Sequence, residues 1–326
     1  MGVKYYMNIQ QKVNELNRIS LRGTFAIILM FAGFFGGGLL MVWINPIFML
    51  LGFLIMGIGI YFLRGTVYNY KTLYKQVVIE KPLEEIFDNL HYDWTSGFSE
   101  ETVKSFEVCR MGNRFYSEDL IQASYLGIPF EMSDVTVKYH SPSNKHPKIF
   151  FQGRILVLDL PDNNINSVYI LSKTFKNMQN IGKTIQSQTV NMDSNDFNQN
   201  FIVKATNPHD AYYLLTPHFM EHITDLSKRF KSIIIHARCN KLVLALDDIN
   251  TDSFDSDRIF KRINYQQEIA KINKEINDIK AIITVIRNLD ANNVSNSYES
   301  NSKLDSGSFI IEHTGNAYKY SGDKIL

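Results

Sequence analysis

Residues 24–63 read TFAIILMFAGFFGGGLLMVWINPIFMLLGFLIMGIGIYFL, 40 consecutive positions without an Asp, Glu, Lys or Arg. The first run, Thr24 to Ile44, has 21 residues, enough for the roughly 20 that cross a bilayer core as a helix. The second, Ile47 to Leu63, has 17 and stands at the short end of that range. Asn45 and Pro46 separate them. Proline disfavours helix at the residue before it and suits the first turn of the next. The stretch therefore predicts a transmembrane helical hairpin with Asn45 and Pro46 at its turn. One helix of that length would overshoot a membrane about twofold, and the stretch is too long for a cleaved signal peptide.

The flanks set the orientation. Lys4, Lys12, Arg18 and Arg22 precede the hairpin against one acid, Glu15, and Arg64, Lys71 and Lys75 follow it before the first acid at Glu80. With basic flanks and an uncharged turn, the positive-inside rule predicts a cell-membrane protein with both termini and the soluble part in the cytoplasm. Gly33 and Gly37 form a GxxxG pair with Gly36 and Gly38 beside them. Such spacing serves close packing, either between the two helices of one hairpin, the preferred reading, or across a dimer.

The chain of 326 residues carries a net charge of +1, which lacks the basic excess of a nucleic-acid partner. Its two cysteines, Cys109 and Cys239, have neither CxxC nor Cys/His spacing and fit a reducing compartment.

Outside the hairpin the periodicity changes several times. Residues 1–23 carry Tyr6, Ile9, Val13, Leu16 and Ile19 at helical spacing, an amphipathic lead-in. Residues 64–95 read as juxtamembrane helices, the second starting at Pro82 and including Leu83, Ile86, Phe87 and Leu90. Over 96–255, Ile128, Phe130 and Met132, then Val135, Val137 and Tyr139, alternate as in a half-buried strand. Lys148 to Leu160 reads as a long strand, Ser167 to Ser172 and Lys183 to Val190 as weaker ones, and Phe201 to Ala205 as another. Asn207-Pro208 and Thr216-Pro217 each supply an N-cap and a first-turn proline for a helix. Ser232 to Arg238 and Lys241 to Asp247 read as a hairpin about Cys239-Asn240. Clustered strands and helices without regular alternation predict an α+β cytoplasmic domain with a mainly antiparallel sheet and flanking helices.

A long C-terminal helix is expected over 256–290. Tyr265, Ile269, Ile272, Ile276, Ile279, Ile283 and Ile286 fall on a 3–4 repeat, either a short coiled-coil seam or a face packed on the domain. The Asn/Ser-rich stretch 291–308 reads as a disordered linker, and 309–326 as a short tail.

The segment closest to active-site chemistry is His218-Phe219-Met220-Glu221-His222, the H-x-x-E-H pattern that sets two imidazoles on one helix face. Zinc would need a third ligand, and no neighbouring segment offers a distinctive one. The plainer reading is an amphipathic helix with Phe219, Met220, Ile223 and Leu226 inward and the histidines in solvent, so no metal and no cofactor is expected. Asp248 to Ser253 resembles the start of a calcium loop, but Ser253 and Ile259 stand where glycine and glutamate belong. Gly182-Lys183-Thr184 resembles the end of a phosphate loop, but Asn177 replaces its first glycine. Nothing local to Cys109 would activate its thiol.

Several segments together resemble a bacterial membrane-protein family known as domain of unknown function 3137. They are Phe151-Gln152-Gly153-Arg154 with the strand ending at Asp159, Phe197 through Phe201-Ile202-Val203, and Asp210-Ala211-Tyr212-Tyr213-Leu214-Leu215-Thr216-Pro217 running into Met220-Glu221. Pro129 to Asp134 looks like a further family segment. The resemblance spans roughly residues 68 to 250 and includes the paired N-terminal helices. It implies no activity. In the family pattern the Thr-Pro and Met-Glu positions look typical, whereas those of His218 and His222 are not demanded.

The expected function is a membrane-anchored, non-enzymatic interaction or scaffold module, with the lipid bilayer and a protein partner or a second copy as its contacts. Two alternatives stay open. One is a membrane-bound metal-dependent hydrolase using His218, Glu221 and His222; the other is a homo-oligomeric scaffold built through the Ile269 to Ile286 helix.

Overall fold

The computed structural model describes residues 2–43, 45–143, 146–160, 165–174, 187–247, 254, 261–302, 310–313 and 316–319. Its architecture is α+β: two apolar N-terminal helices, a nine-stranded antiparallel sheet with helices on it, and a long C-terminal helix.

Helix α1 (Gly2–Trp43) takes in both the amphipathic lead-in and the first apolar run, since no proline separates them. Asn45 follows, and its side chain accepts from the Ile47 N–H at 3.0 Å as α2 (Ile47–Tyr74) begins. The two helices meet through glycines. A Cβ on Gly33 would lie 2.8 Å from the Gly52 carbonyl oxygen, and one on Gly37 2.8 Å from the Gly52 Cα. One on Gly59 would lie 2.5 Å from Met30 Cγ. Gly36 and Gly38 face open space. The GxxxG pair is thus consumed inside the hairpin, where bare backbone permits close approach of the two helices.

α2 continues without interruption into a π-helical stretch, Lys75–Glu80, and then α3 (Lys81–Glu84). Pro82 supplies a local cause for the widened turn: it has no N–H for the Val78 carbonyl, and its ring crowds that group. The helix expected from Pro82 through Leu90 stops at Glu84. Asn89 takes a positive φ of 54°, and Leu90 falls in the first strand.

The strands of this sheet are β1 (Asp88–Asp93), β2 (Arg114–Tyr125), β3 (Ile128–Tyr139), β4 (Lys148–Asp159), β5 (Ile165–Ser172), β6 (Gln188–Val190), β7 (Phe201–Ala205), β8 (Ser232–Cys239) and β9 (Lys241–Asp247). Their order across the sheet is β1-β2-β3-β4-β9-β8-β5-β7-β6, with every neighbouring pair antiparallel. The β8–β9 hairpin pairs Arg238 with Lys241, so Cys239 and Asn240 make its turn, and Cys239 takes the positive φ of 54° that the turn requires.

Each face of the sheet builds a core. On one, Met132, Leu156, Leu244 and Ile235 meet Tyr70, Tyr74 and Val78 from the α2 extension. The helices after α3 are α4 (Glu100–Phe106), α5 (Asn195–Asn200), α6 (Pro208–Leu214), α7 (Pro217–Ser227) and the C-terminal helix α8 (Tyr265–Ser302). The same core takes in Ala211 of α6, Phe219 and Ile223 of α7, and Ile272, Ile276, Ile279, Ile283 and Ile286 of α8. The isoleucine seam is therefore packed on the chain's own domain. That helix passes residue 290 because no proline or glycine stops it before Ser302. On the other face, Phe98, Val103 and Val108, on and around a short helix at Glu100–Phe106, cover Val135, Phe151, Ile155 and Ile234. Residues 248–253, 177, 182–184 and 259 lie outside the described residues, as do 183–186 of the expected strand 183–190.

Candidate functional site

Several buried charges converge where the α2 extension meets the sheet. Lys75, the first residue of the π-helical stretch, sends its ammonium to both carboxylate oxygens of Asp119, at 2.8 and 2.6 Å. Both side chains are 3% exposed. The Tyr92 hydroxyl of β1 donates to the same carboxylate. Asp119 reaches inward because β2 shifts register between Glu118 and Ile121, and Asp119 itself takes φ 59°. A bulge re-aims a side chain in this way, and aspartate tolerates the left-handed region better than most residues.

One strand over, Arg154 of β4 makes a two-pronged contact with Asp134 of β3, Nε to Oδ1 at 2.7 Å and Nη2 to Oδ2 at 3.2 Å. Its third nitrogen, Nη1, reaches Glu275 of the C-terminal helix at 2.8 Å. The guanidinium also lies 4.0 Å from the Phe254 ring centroid. Burial pushes the Asp134 carboxyl up to about 6 although Arg154 opposes it, and the charge on Asp119 adds to the rise. Burial works against the Arg154 cation, but Asp134 and Glu275 more than offset it and hold its pKa above the usual arginine range. Two cations and three anions thus tie the α2 extension, the sheet and the C-terminal helix into one unit.

A second buried constellation lies near the other face. His236 stacks on Tyr169 with ring centroids 3.9 Å apart, and its Nε2 is 3.1 Å from Ser167 Oγ. Its Nδ1 is 2.8 Å from the Phe106 carbonyl oxygen, and the Tyr169 hydroxyl donates to Glu107 at 2.7 Å. Burial lowers the His236 pKa, so the ring is neutral and donates from Nδ1 to the carbonyl. Hydroxyl, imidazole and acceptor follow the order of a nucleophile relay. Ser167 and His236 are only 4% and 3% exposed, however, which leaves a substrate no approach. The group is packing and polar satisfaction.

A cavity of ≈ 590 Å³ opens between Phe98, Ser117, Asp119, Asp134 and Gly153. Its Ser117 hydroxyl lies 2.8 Å from that of Ser133 and donates to the Asp134 carbonyl at 3.1 Å, so no base stands against it.

The residues singled out from sequence are spread over the domain. His218 and Glu221 are exposed on α7. His222 is half-buried, its Nε2 has no hydrogen-bond partner among the described residues, and burial, then His218, lowers its pKa. Among the described residues no three His, Cys, Asp or Glu side chains are grouped to hold a metal ion. Phe151, Phe201, Ala211, Leu215 and Met220 are buried. A Cβ on Gly153 would run into the Leu246 carbonyl. The Thr216 side chain accepts from the Phe219 N–H at 3.3 Å, and Pro217 begins α7. Asp159 pairs with Lys241 at 2.5 Å on the surface. Lys75, counted from sequence among the flanking cations, instead sits in the core.

Sequence reasoning missed the ion cluster because its partners are 44, 20 and 121 residues apart. One signal points to it. The apolar phase of β3 changes from Phe130 and Met132 to Val135 and Val137, and Asp134 then occupies the face that Met132 had filled.

Comparison with known proteins agrees with the resemblance seen in the sequence. Residues 149–290 match the family described as "Protein of unknown function (DUF3137)". The match starts later than residue 68 and continues through the isoleucine face of the C-terminal helix. No curated protein matches. Among solved structures, the crystal structure of the mycobacterial trehalose monomycolate transport factor A, TtfA, is similar at a TM-score of 0.33 and 11% identity, over 64% of this chain and 93% of that one. A likeness at that score carries no weight for fold or function.

Proposed function

We propose that this chain is a membrane-anchored, non-enzymatic interaction module. Its apolar hairpin spans the bilayer and its α+β domain binds a protein partner at the cytoplasmic surface. The observation that supports this reading best is the course of α2, which runs from an apolar hairpin arm into the domain core. Only 22% and 11% of the most apolar windows of the two helices are buried within the protein. Phe25, Ile28, Phe31, Phe35, Leu39, Leu50, Leu54 and Phe62 are exposed, far more contiguous apolar surface than a water-soluble protein presents. Hydrocarbon solvates such a surface. The cations Arg18, Arg22, Arg64 and Lys71 favour a cytoplasmic location for both helix ends. Buried charges that are paired with one another support a structural lock rather than turnover.

The exposed Cys239 thiol provides the test. A maleimide-polyethylene glycol reagent should modify it only after the cell membrane is opened. Buried Cys109, its pKa pushed up to about 12 by burial and then by Asp247, should stay unreactive until the domain unfolds. Labelling of Cys239 in intact spheroplasts would reverse the orientation. Turnover by the purified chain that a point mutation abolishes would overturn the non-enzymatic reading.

A further inference from the structure

The two hairpin helices share a concave surface at the level where their charges begin. A cavity of ≈ 980 Å³ opens there, lined by Arg18, Arg22 and Arg64 together with Leu21, Phe25, Leu29 and Phe62. A second concavity of ≈ 620 Å³ shares Arg18, Arg22 and Asn69 with it and continues along the polar side past Gln11, Asn14, Thr72 and Gln76. Glu15 and Tyr68 also line this second part. Among the described residues none of the three arginines has a carboxylate within ion-pair distance, and all three are exposed. Leu21, Phe25 and Phe62 beside them are 71%, 65% and 59% exposed.

The helix pairing sets the depth. Gly33 meets Gly52, and Gly59 meets Ala26 and Met30, so Arg22 and Arg64 stand at about the same level on antiparallel helices. At about 1.5 Å per residue, Arg22 lies ~34 Å along its helix from Asn45 at the turn. That approximates the ~30 Å of a hydrocarbon core. Basic groups therefore crown an apolar groove at the height of the lipid headgroups.

We propose that this groove holds an anionic phospholipid of the surrounding bilayer. The three guanidiniums take its phosphate through their planar donor forks. Asn69 and the polar end of the groove receive the rest of the headgroup, and an acyl chain lies along Leu21, Phe25, Leu29 and Phe62. Basic pockets between membrane helices bind anionic headgroups by this chemistry. The inference rests on the membrane-spanning reading of the hairpin, which detergent-dependent extraction tests separately.

The decisive experiment is native mass spectrometry of the full chain in detergent, titrated with dioleoyl phosphatidylglycerol, dioleoyl phosphatidylcholine or inorganic phosphate. The expected result is a one-lipid adduct with phosphatidylglycerol at about tenfold or more lower concentration than with phosphatidylcholine. The triple variant Arg18→Gln, Arg22→Gln, Arg64→Gln should lose that preference while keeping the wild-type circular dichroism. A charge-matched control, Arg114→Gln, Lys138→Gln, Lys204→Gln, removes cations that do not line the groove and should retain it. Equal binding of the two lipids, an unaffected triple variant, or inorganic phosphate binding as tightly as the lipid would each overturn the proposal. A chain extracted without detergent would instead overturn the membrane reading beneath it.

Discussion

The same helix, α2, is held in two opposite ways along its length. Between Ile47 and about Leu63 it meets α1 through Gly33, Gly37, Gly52 and Gly59, a contact made by the absence of side chains. From Tyr70 onward it meets the sheet through large aromatics and the long Lys75 side chain. With the hairpin in a bilayer, as proposed above, the difference follows from the medium. In hydrocarbon no apolar burial drives two helices together, so close backbone approach has to do it. In water, burying Tyr70, Tyr74 and Val78 already stabilises the contact. The buried ion pair then adds register, since an ammonium finds its carboxylate in one position only.

The largest expected effect breaks the water-side contact. Asp119→Ala leaves the Lys75 ammonium buried without its carboxylate and should cost about 3–5 kcal/mol, read as a fall in unfolding midpoint of the full chain in detergent. Replacing both partners, Lys75→Met with Asp119→Leu, should recover most of that loss. If the double variant is as unstable as the single, the pair contributes attraction and not merely register.

A smaller effect is expected in the hairpin. Gly52→Ala places a Cβ 2.5 Å from the Gly33 carbonyl oxygen and should cost about 1–3 kcal/mol through forced separation of the helices. The distance between spin labels at Gly36 and Gly57, which face open space, should lengthen in the variant.

Asp134 allows the ion cluster to be examined by pH. Burial raises its folded-state pKa from the ordinary 3.8 to about 6, so between those values the folded state holds more proton than the unfolded one. Its contribution must then decline as pH rises through that window and level off on either side. Asp134→Asn removes this slope, and subtracting its stability-versus-pH curve from that of the wild type should isolate it. A difference curve that rises with pH would mean that Arg154 outweighs burial. The smallest effect is Gly38→Ala, which meets nothing within 4 Å and should stay within about 0.5 kcal/mol.

What could be read in advance divides along chemical lines. The hairpin was legible because forty positions lack charge, and α6 and α7 because Asn207-Pro208 and Thr216-Pro217 are local capping signals. β9 and β4 showed as apolar runs because they lie inside the sheet with neighbours on both sides. β2 did not show. Its sequence RFYSEDLIQASY is polar in the middle, and the bulge at Asp119 breaks the alternation that marks a strand. The helix at Glu100–Phe106 is only 7 residues long, too short for a periodic signal. The ion cluster escaped for a deeper reason: ion pairing leaves no trace in local spacing when the partners come from separate elements.

The unbroken run from Ile47 to Glu84 has a mechanical consequence. Its last turns pack on the β-sheet core before the short turn Glu85 to Phe87 leads into β1, so the domain is carried like a blade on a shaft. If the hairpin spans a bilayer as proposed, a twist or tilt of that shaft would reach the sheet through this packed contact and not through a linker.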